Sequence, residues 1–433
     1  MRYLRVSMKR SEFFAQAGKI FTLALMANSV AFAEEQWWQF RGPQGNGHTL
    51  SEDLPLKWNE ETNVVWKVPI HDRGWSSPVV WDNQVWLTTA TRKGSELYAL
   101  CVRKDTGKLL HDLKLFEVKD AMAITSANTY ATPTPVIEEG RVYLHYGTYG
   151  TACLDPETGK VLWERRDLNC DHEKGAGPAS SPTLVGDYFV VHVDGRDHQY
   201  VIALNKKDGT TAWKTDRSLD YSEVPVHHRK AYGMPILIPR GEDGEQLVGV
   251  GGRGVFAYDP RTGRELWKMR HRGWSIAPRP VHGHGLVFAI IDRDDPELWA
   301  IRPDGSGDVT ETHIAWREDK RMPPRASPLL VGDLLFLVNR NGIATCLDAK
   351  TGTEIWQERL KGNYSASPIA AKGRIYFFSE EGLCTVIRPS RKFEILASNA
   401  LADEPLMATP AVSGASFLIR TEKHLYRISE SGR

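Results

Sequence analysis

Two near-copies of one short phrase, Arg73-Gly74-Trp75-Ser76 and Arg272-Gly273-Trp274-Ser275, carry the side chains in this chain best suited to holding a ligand. A guanidinium forks onto a carboxylate or phosphate and an indole offers a flat face, so two such pairs facing one another would clamp a flat anionic or aromatic molecule. Tyr130, Tyr232, Arg325, Tyr364 and Met407 occupy comparable places shortly before prolines. The candidate ligand-binding set is therefore Arg73, Trp75, Tyr130, Tyr232, Arg272, Trp274, Arg325 and Tyr364. The plainer reading is that the rings plug a channel mouth and the arginines brace neighbouring loops.

Other clusters point to weaker chemistry. His227-His228-Arg229-Lys230 offers a cationic rim for an acidic partner, or a general base at His227 or His228, or only a solvated loop. Adjacent histidines point apart in extended chain and rarely chelate one metal together. Asp194-Gly195-Arg196-Asp197-His198 and Asp292-Arg293-Asp294-Asp295 have carboxylates of the kind that hold Ca²⁺. Aspartates also populate turns for local hydrogen bonding, and each cluster contains its own arginine, so no metal site is assigned. There is no Gly-x-Ser-x-Gly elbow, His-Glu-x-x-His pair or phosphate-binding P-loop. The glycine-rich Gly249-Val250-Gly251-Gly252-Arg253-Gly254 precedes a strand-like run rather than a helix and reads as a turn. No catalytic residue is identified.

What must position these residues is a repeat. Ala344-Thr345-Cys346-Leu347-Asp348-Ala349-Lys350-Thr351-Gly352-Thr353-Glu354-Ile355-Trp356 recurs as Ala152 to Trp163, as Phe256 to Trp267, and more weakly as Val201 to Trp213. A second landmark is a polar stretch, a proline and an apolar run, counted by Pro78, Pro133, Pro182, Pro235, Pro278, Pro328, Pro368 and Pro410. The period, (410 − 78)/7 or about 47 residues, suits either four-stranded propeller blades or helical repeats. Short β-rich runs such as Val85-Trp86-Leu87, Arg141-Val142-Tyr143-Leu144 and Arg374-Ile375-Tyr376-Phe377-Phe378, each bounded by turn residues, decide for blades.

Each blade parses into four strands. The first follows its proline, where no ladder donor is needed. The second follows a tight turn such as Val331-Gly332-Asp333, and the third leads into the Asp-x-x-Thr-Gly reversal. The fourth is centred on Trp66, Trp163, Trp213, Trp267, Trp316 or Trp356; His111 takes the place after Trp66, and only Leu396 stands near the last. Trp66 lies ahead of the first proline, so the strand around Val64–Lys67 is expected to complete the C-terminal blade and close the ring. The fold class is all-β: an eight-bladed propeller of four-stranded antiparallel blades forming one domain, 64–433.

Ahead of it, Arg2, Arg5, Lys9, Arg10 and Lys19 precede Ile20-Phe21-Thr22-Leu23-Ala24-Leu25-Met26 and then Ala31-Phe32-Ala33. Basic, apolar and Ala-x-Ala regions in that order read as a secretory signal over 1–33, followed by an extension, 34–63. The apolar core is short for a bilayer span and no second span follows, so the mature chain is expected to be exported, periplasmic or extracellular, and monomeric. Lysine and arginine total 55 against 54 acidic residues, a formal charge of +1, with no basic run that would track nucleic acid. Cys101, Cys153 and Cys346 share one repeat position that Ala203 and Ala257 fill in other blades. A slot taking Ala or Cys is a small core position, so these three are expected to be free thiols; Cys170 stays open.

The Ala-x-x-Leu-Asp-x-x-Thr-Gly-x-x-x-Trp phrase resembles the repeat of the pyrroloquinoline-quinone (PQQ) type propellers over about 64 to 429. That superfamily holds quinoprotein alcohol dehydrogenases and a non-enzymatic lipoprotein that helps assemble outer-membrane β-barrels. Trp38-Gln39-Phe40-Arg41-Gly42-Pro43-Gln44-Gly45-Asn46-Gly47 looks like the leader of secreted bacterial members. For an enzyme the resemblance would imply PQQ and Ca²⁺ on the axis, with Trp75 or Trp274 stacked on the quinone. The adjacent-cysteine pair that covers the quinone in those enzymes and the haem-bearing Cys-x-x-Cys-His are both missing here, as is the lipoprotein's lipid-bearing cysteine. The expectation is a non-catalytic exported module that presents its loop face to a protein or small ligand. The rivals are a divergent quinoprotein oxidoreductase and a hydrolase or lyase acting on an extracellular polymer.

Overall fold

The computed structural model describes residues 36–172, 175–401 and 403–430; the expected signal, 1–33, lies outside the described residues. Eight antiparallel sheets follow one another along the chain. Blades 1 to 7 span 79–117, 136–165, 183–216, 236–270, 281–318, 329–359 and 369–400, and blade 8 spans 411–428. Blade 8 supplies only three strands of its own. Val64–Pro69 pairs antiparallel with His424–Ile428 as its fourth, which closes the ring as expected. Blade 4 gains a fifth, parallel strand, Gly307–Asp308.

Local chemistry makes the repeats. In the Asp-x-x-Thr-Gly reversals the aspartate oxygen accepts backbone N–H groups two and three residues on, as Asp155 does from Glu157 and Thr158. The glycine that follows adopts positive φ, as at Gly159 (+70°) and Gly209 (+73°). Across blade seams the outer-strand tryptophan docks onto the next blade's reversal. Trp163 donates Nε1–H to the Lys206 carbonyl at 2.9 Å, Trp213 to Pro260, Trp316 to Ala349 and Trp356 to Ser390. Trp66 does the same to Lys104, so ring closure reuses the seam that joins neighbours. His111 substitutes with Nε2 against the Pro156 carbonyl at 3.0 Å. Trp267 departs from the pattern: it donates to Gln246, whose amide relays to the Pro303 carbonyl.

The slot that takes Ala or Cys lies directly across the ladder from these rings. Cys153 pairs with Trp163, Ala203 with Trp213, Cys346 with Trp356 and Cys101 with His111. A larger residue there would compete with the indole for one space. All five cysteines are buried free thiols, which also answers the open case of Cys170.

A Cβ on Gly209 would fall 2.6 Å from the Trp163 ring, in a backbone conformation that side chains rarely adopt. Gly209→Ala is therefore expected to lose about 1–3 kcal/mol, read as a lower urea midpoint at unchanged slope. An unchanged midpoint would mean that the docking geometry contributes nothing.

The count of eight holds, but the structure moves the proline landmark in two blades. The residues directly before the inner strands of blades 2 and 5 are Pro135 and Pro280, not Pro133 and Pro278. Thr132-Pro133-Thr134-Pro135 and Pro278-Arg279-Pro280 present two prolines each, and contacts between blades choose. A belt of buried hydroxyls circles the channel: Ser77 N–H donates to Thr134 Oγ1, Thr134 N–H to Ser181 Oγ, Ser327 N–H to Ser367 Oγ and Ser367 N–H to Thr409 Oγ1. In blade 5 the belt position is Arg279, whose N–H reaches Ser327 Oγ.

Residues 36–49 run along the inner strands at the end of the channel where the inner hairpins turn. The Trp37 carbonyl accepts from Val80 in blade 1, the Trp38 carbonyl from Ile137 in blade 2, and Gln39 Oε1 from Thr183 in blade 3. Arg41 reaches the Pro328 carbonyl of blade 6, and Gly47 and Thr49 bracket Ala370 of blade 7. Trp58 then packs against Tyr376, Phe378 and Phe417, filling the seam between blades 7 and 8 where no docking tryptophan exists.

Candidate functional site

The opposite end of the channel is ringed by the links from each outer strand to the next inner strand and by the loops joining second to third strands. Two concavities share this face. The first, about 300 Å³, is lined by Arg196, Lys230, Arg293, His227, Tyr232 and Trp274 among others. The second, about 460 Å³, is lined by Arg73, Arg92, Lys93 and Tyr130 with small and hydroxyl side chains. Thr125 borders both, so the loop before blade 2 is the partition between them.

The candidate residues divide accordingly. Tyr232 and Trp274 line the first cavity, Arg73 and Tyr130 the second. Tyr130, Tyr232 and Tyr364 are buried and brace loops: Tyr130 donates to the Met122 carbonyl, Tyr364 to the Lys361 carbonyl, and the Tyr232 hydroxyl accepts from Ala176 N–H. Burial pushes the Tyr232 hydroxyl up to about 12. Arg325 donates to Ser365 Oγ and stands 3.6 Å from Glu380. The two Arg-Gly-Trp-Ser phrases sit in unlike surroundings. Arg73 pairs with Glu422 at 2.8 Å and lies 5.7 Å from the centre of the Trp75 ring. Arg272 is exposed, and the guanidinium over Trp274 is that of Arg293, 5.6 Å from the ring centre.

His227 and His228 do not point apart. They form a 3-10 turn, Val226–His228, with ring centres 4.2 Å from each other. The tighter turn rotates successive side chains by about 120° instead of the 180° of a strand. His228 stacks on Trp274 at 4.6 Å and 27°, and its Nδ1 meets Arg253 at 3.1 Å. Burial, His227 and Arg253 together hold its pKa below the ordinary value.

Lys230 is the most enclosed cation of the first cavity at 2% exposure. Burial and the Arg196 charge lower its pKa, against the opposing pull of Asp171. Arg196 itself stands 3.1 Å from Asp171. Three cations converge on this concavity, and among the described residues that line it there is no carboxylate, so it suits a carboxylate or phosphate group. The aspartate clusters are occupied otherwise: Asp194 is bound to Arg217, and Asp292 Oδ1 accepts the N–H groups of Arg293 and Asp294. Among the described residues no three His, Cys, Asp or Glu side chains come together as a metal needs.

Cys170 Sγ and His172 Nε2 form a thiol–imidazole pair at 3.1 Å. Burial raises the thiol far above its usual range and lowers His172 to about 4, so both are neutral and the thiol is not activated.

Sequence reasoning missed the partition loop carrying Thr125. Its signal is spacing: 135 − 78 is 57 residues, about ten more than the mean period, placed between blades 1 and 2.

Comparison with known proteins places the chain. A family model described as outer membrane protein assembly factor BamB matches residues 57–213, 101–290 and 197–431. BamB of Shewanella oneidensis is 23% identical over 252 residues, 53% of this chain and 57% of its own length. BamB of Salmonella typhimurium is 25% identical over 339 residues, 68% of this chain and 83% of its own. A europium-containing methanol dehydrogenase superposes with a TM-score of 0.65 over 91% of this chain and 89% of its own at 13% identity, a likeness of fold alone. Among the described residues no helix is long and apolar enough to cross a membrane.

Proposed function

This chain belongs to the family described as outer membrane protein assembly factor BamB, and on that footing we propose that it is an exported, non-catalytic propeller that binds a partner through its loop face. The observation that carries the reading is the cationic concavity gathering Arg196, Lys230 and Arg293 beside the half-buried Trp274. Such a surface favours a protein segment bearing carboxylates next to an apolar or aromatic side chain. The regular ring, bridged at its other end by residues 36–49, serves as the rigid mount.

A photo-crosslinking residue at position 274, compared with one at the exposed Lys160 on the opposite face, tests this in the exporting cell. A discrete adduct is expected from 274 and not from 160. It should fall at least about tenfold when Arg196 and Arg293 are both changed to Glu, because charge reversal opposes the docked carboxylates. Equal adducts from both faces, or an adduct indifferent to the reversal, would sink the reading.

The rival is a quinoprotein oxidoreductase. The residues present do not fit its Ca²⁺, since no carboxylate trio converges among the described residues, and one face of Trp274 is already covered by His228. No step is derived through that cofactor. Calorimetric titration with PQQ in Ca²⁺ decides: saturable one-to-one heat that weakens in Trp274→Ala would replace the binding-module reading.

A further inference from the structure

Two arginines are sealed inside the channel without a carboxylate. Arg41, from the 36–49 segment, is 0% exposed, and Arg279, from the hydroxyl belt of blade 5, is 3% exposed. They are neighbours, because adjacent carbonyls of one turn clasp both: Gly45 accepts from Arg279 Nη1 and Asn46 from Arg41 Nη2. Their remaining protein partners are the carbonyls of Pro328, Phe40 and Pro235 and the Gln39 amide oxygen. Arg41 Nε and Nη1 and Arg279 Nε meet no protein acceptor. Burial, together with the facing Arg279 charge, brings Arg41 down to about 9, and burial alone brings Arg279 to about 9.

The other sealed arginines are accommodated in two ways. Arg420 donates to the Ser76 carbonyl and hydroxyl and leaves Nε and Nη2 without a protein acceptor. Arg217, equally enclosed, has both branches of its fork on Asp194. Two adjacent buried cations with free donors and no counter-charge are far more costly than such a pair. The chain nevertheless builds the turn around them. Gly45 and Gly47 take positive φ, and a Cβ on Gly45 would overlap the Arg279 guanidinium.

We propose that Arg41 and Arg279 form a buried site for a small inorganic anion of halide size, which staples the 36–49 segment to the ring. Halide size follows from the walls. Backbone carbonyls of Phe40, Gly45, Asn46, Pro235 and Pro328 crowd the two guanidinium groups, and a single small ion is the anion that can meet the remaining N–H groups with the least oxygen brought against those carbonyls.

The test uses the full mature chain. Thermal unfolding is measured in sodium chloride and in sodium gluconate at equal ionic strength, gluconate being too bulky for the site. The wild type is expected to melt about 3 °C higher in chloride at a hundredfold excess over Kd, since an ion that binds only the folded state stabilises it by mass action. Arg279→Gln should lose that difference, while Arg261→Gln, on an exposed reversal outside both cavities, should keep it. Because Arg279→Gln risks failing to fold, crystals of the wild type soaked in sodium bromide give an independent readout: an anomalous peak within hydrogen-bond reach of both guanidinium groups is expected. Identical melting in the two salts with no bromide peak would show that water alone meets these donors. Stabilisation by phosphate but not by chloride would overturn the halide assignment.

Discussion

Acidification from pH 7 to pH 5 is expected to remove on the order of 8 kcal/mol of stability, well before the carboxylates titrate. The cause is four histidines sealed as neutral rings: His145, His172, His192 and His271. Burial lowers His145 and His271 to about 3 and His172 to about 4, and holds His192 well below its ordinary value. Well above pH 6.5 these rings are neutral in both the folded and the unfolded chain, and they contribute no pH dependence. Below 6.5 the unfolded chain takes up protons that the folded chain refuses, so stability falls as pH falls, and the loss continues until the folded values near 3 to 4 are reached. At pH 5 each ring accounts for about 2 kcal/mol. Local bonds agree with the neutral form: His271 Nδ1 accepts the Gly273 N–H, which a protonated ring could not do. Urea midpoints measured from pH 8 to pH 5 should be flat above about 7 and fall steeply below 6.5. His145→Gln should reduce the fall by about a quarter. A midpoint level down to pH 5 would show that these rings are not sealed in solution.

Asp194→Asn is expected to lose about 3–5 kcal/mol, the largest effect of a single substitution foreseen in this chain. Asp194 and Arg217 have fully buried side chains, with Nε to Oδ1 at 3.1 Å and Nη2 to Oδ2 at 2.9 Å. The third arm of the guanidinium donates to the Tyr258 hydroxyl, and its plane lies 4.7 Å from the centre of the Phe256 ring. Asp194 belongs to blade 3, Arg217 directly follows that blade's outer strand, and both rings belong to blade 4. Neutralising the carboxylate strands a cation in the seam between two blades. The double variant Asp194→Asn with Arg217→Met should recover most of the loss, because an apolar side chain of similar length satisfies the seam without charge. Equilibrium urea unfolding of the three variants measures this. A loss under about 1 kcal/mol in the single variant would mean that water reaches Arg217.

Much of this architecture is local chemistry and could be read before any coordinates. An aspartate oxygen that accepts from the amides two and three residues on, a glycine with positive φ and a tryptophan a few residues later act within a dozen residues, so each copy announces itself. Ring closure was legible for the same reason: Trp66 is a docking tryptophan with no blade ahead of it, and its partner carbonyl at Lys104 is the kind the other copies use. The free state of Cys101, Cys153 and Cys346 followed from a slot shared with alanine, and the ladder shows why the slot is small, since each faces an outer-strand ring.

What the residues alone left open depended on contacts between segments far apart in the chain. Nothing within Thr132-Pro133-Thr134-Pro135 distinguishes its two prolines; the Ser77 amide of the neighbouring blade does, by donating to Thr134. Arg73 and Arg272 stand in near-identical phrases, yet one is paired to Glu422 of blade 8 and the other is exposed while Arg293 covers its tryptophan. The leader phrase around Arg41 could be seen as unusual, but its place inside the channel follows from carbonyls and amides on blades 1, 2, 6 and 7 that only meet once the ring is closed. Sequence thus determined the repeating unit, its number and its closure, because those rest on bonds a few residues long. Tertiary structure decided which charges are paired, which are sealed and which face the partner, because burial and counter-charge are properties of the assembled ring.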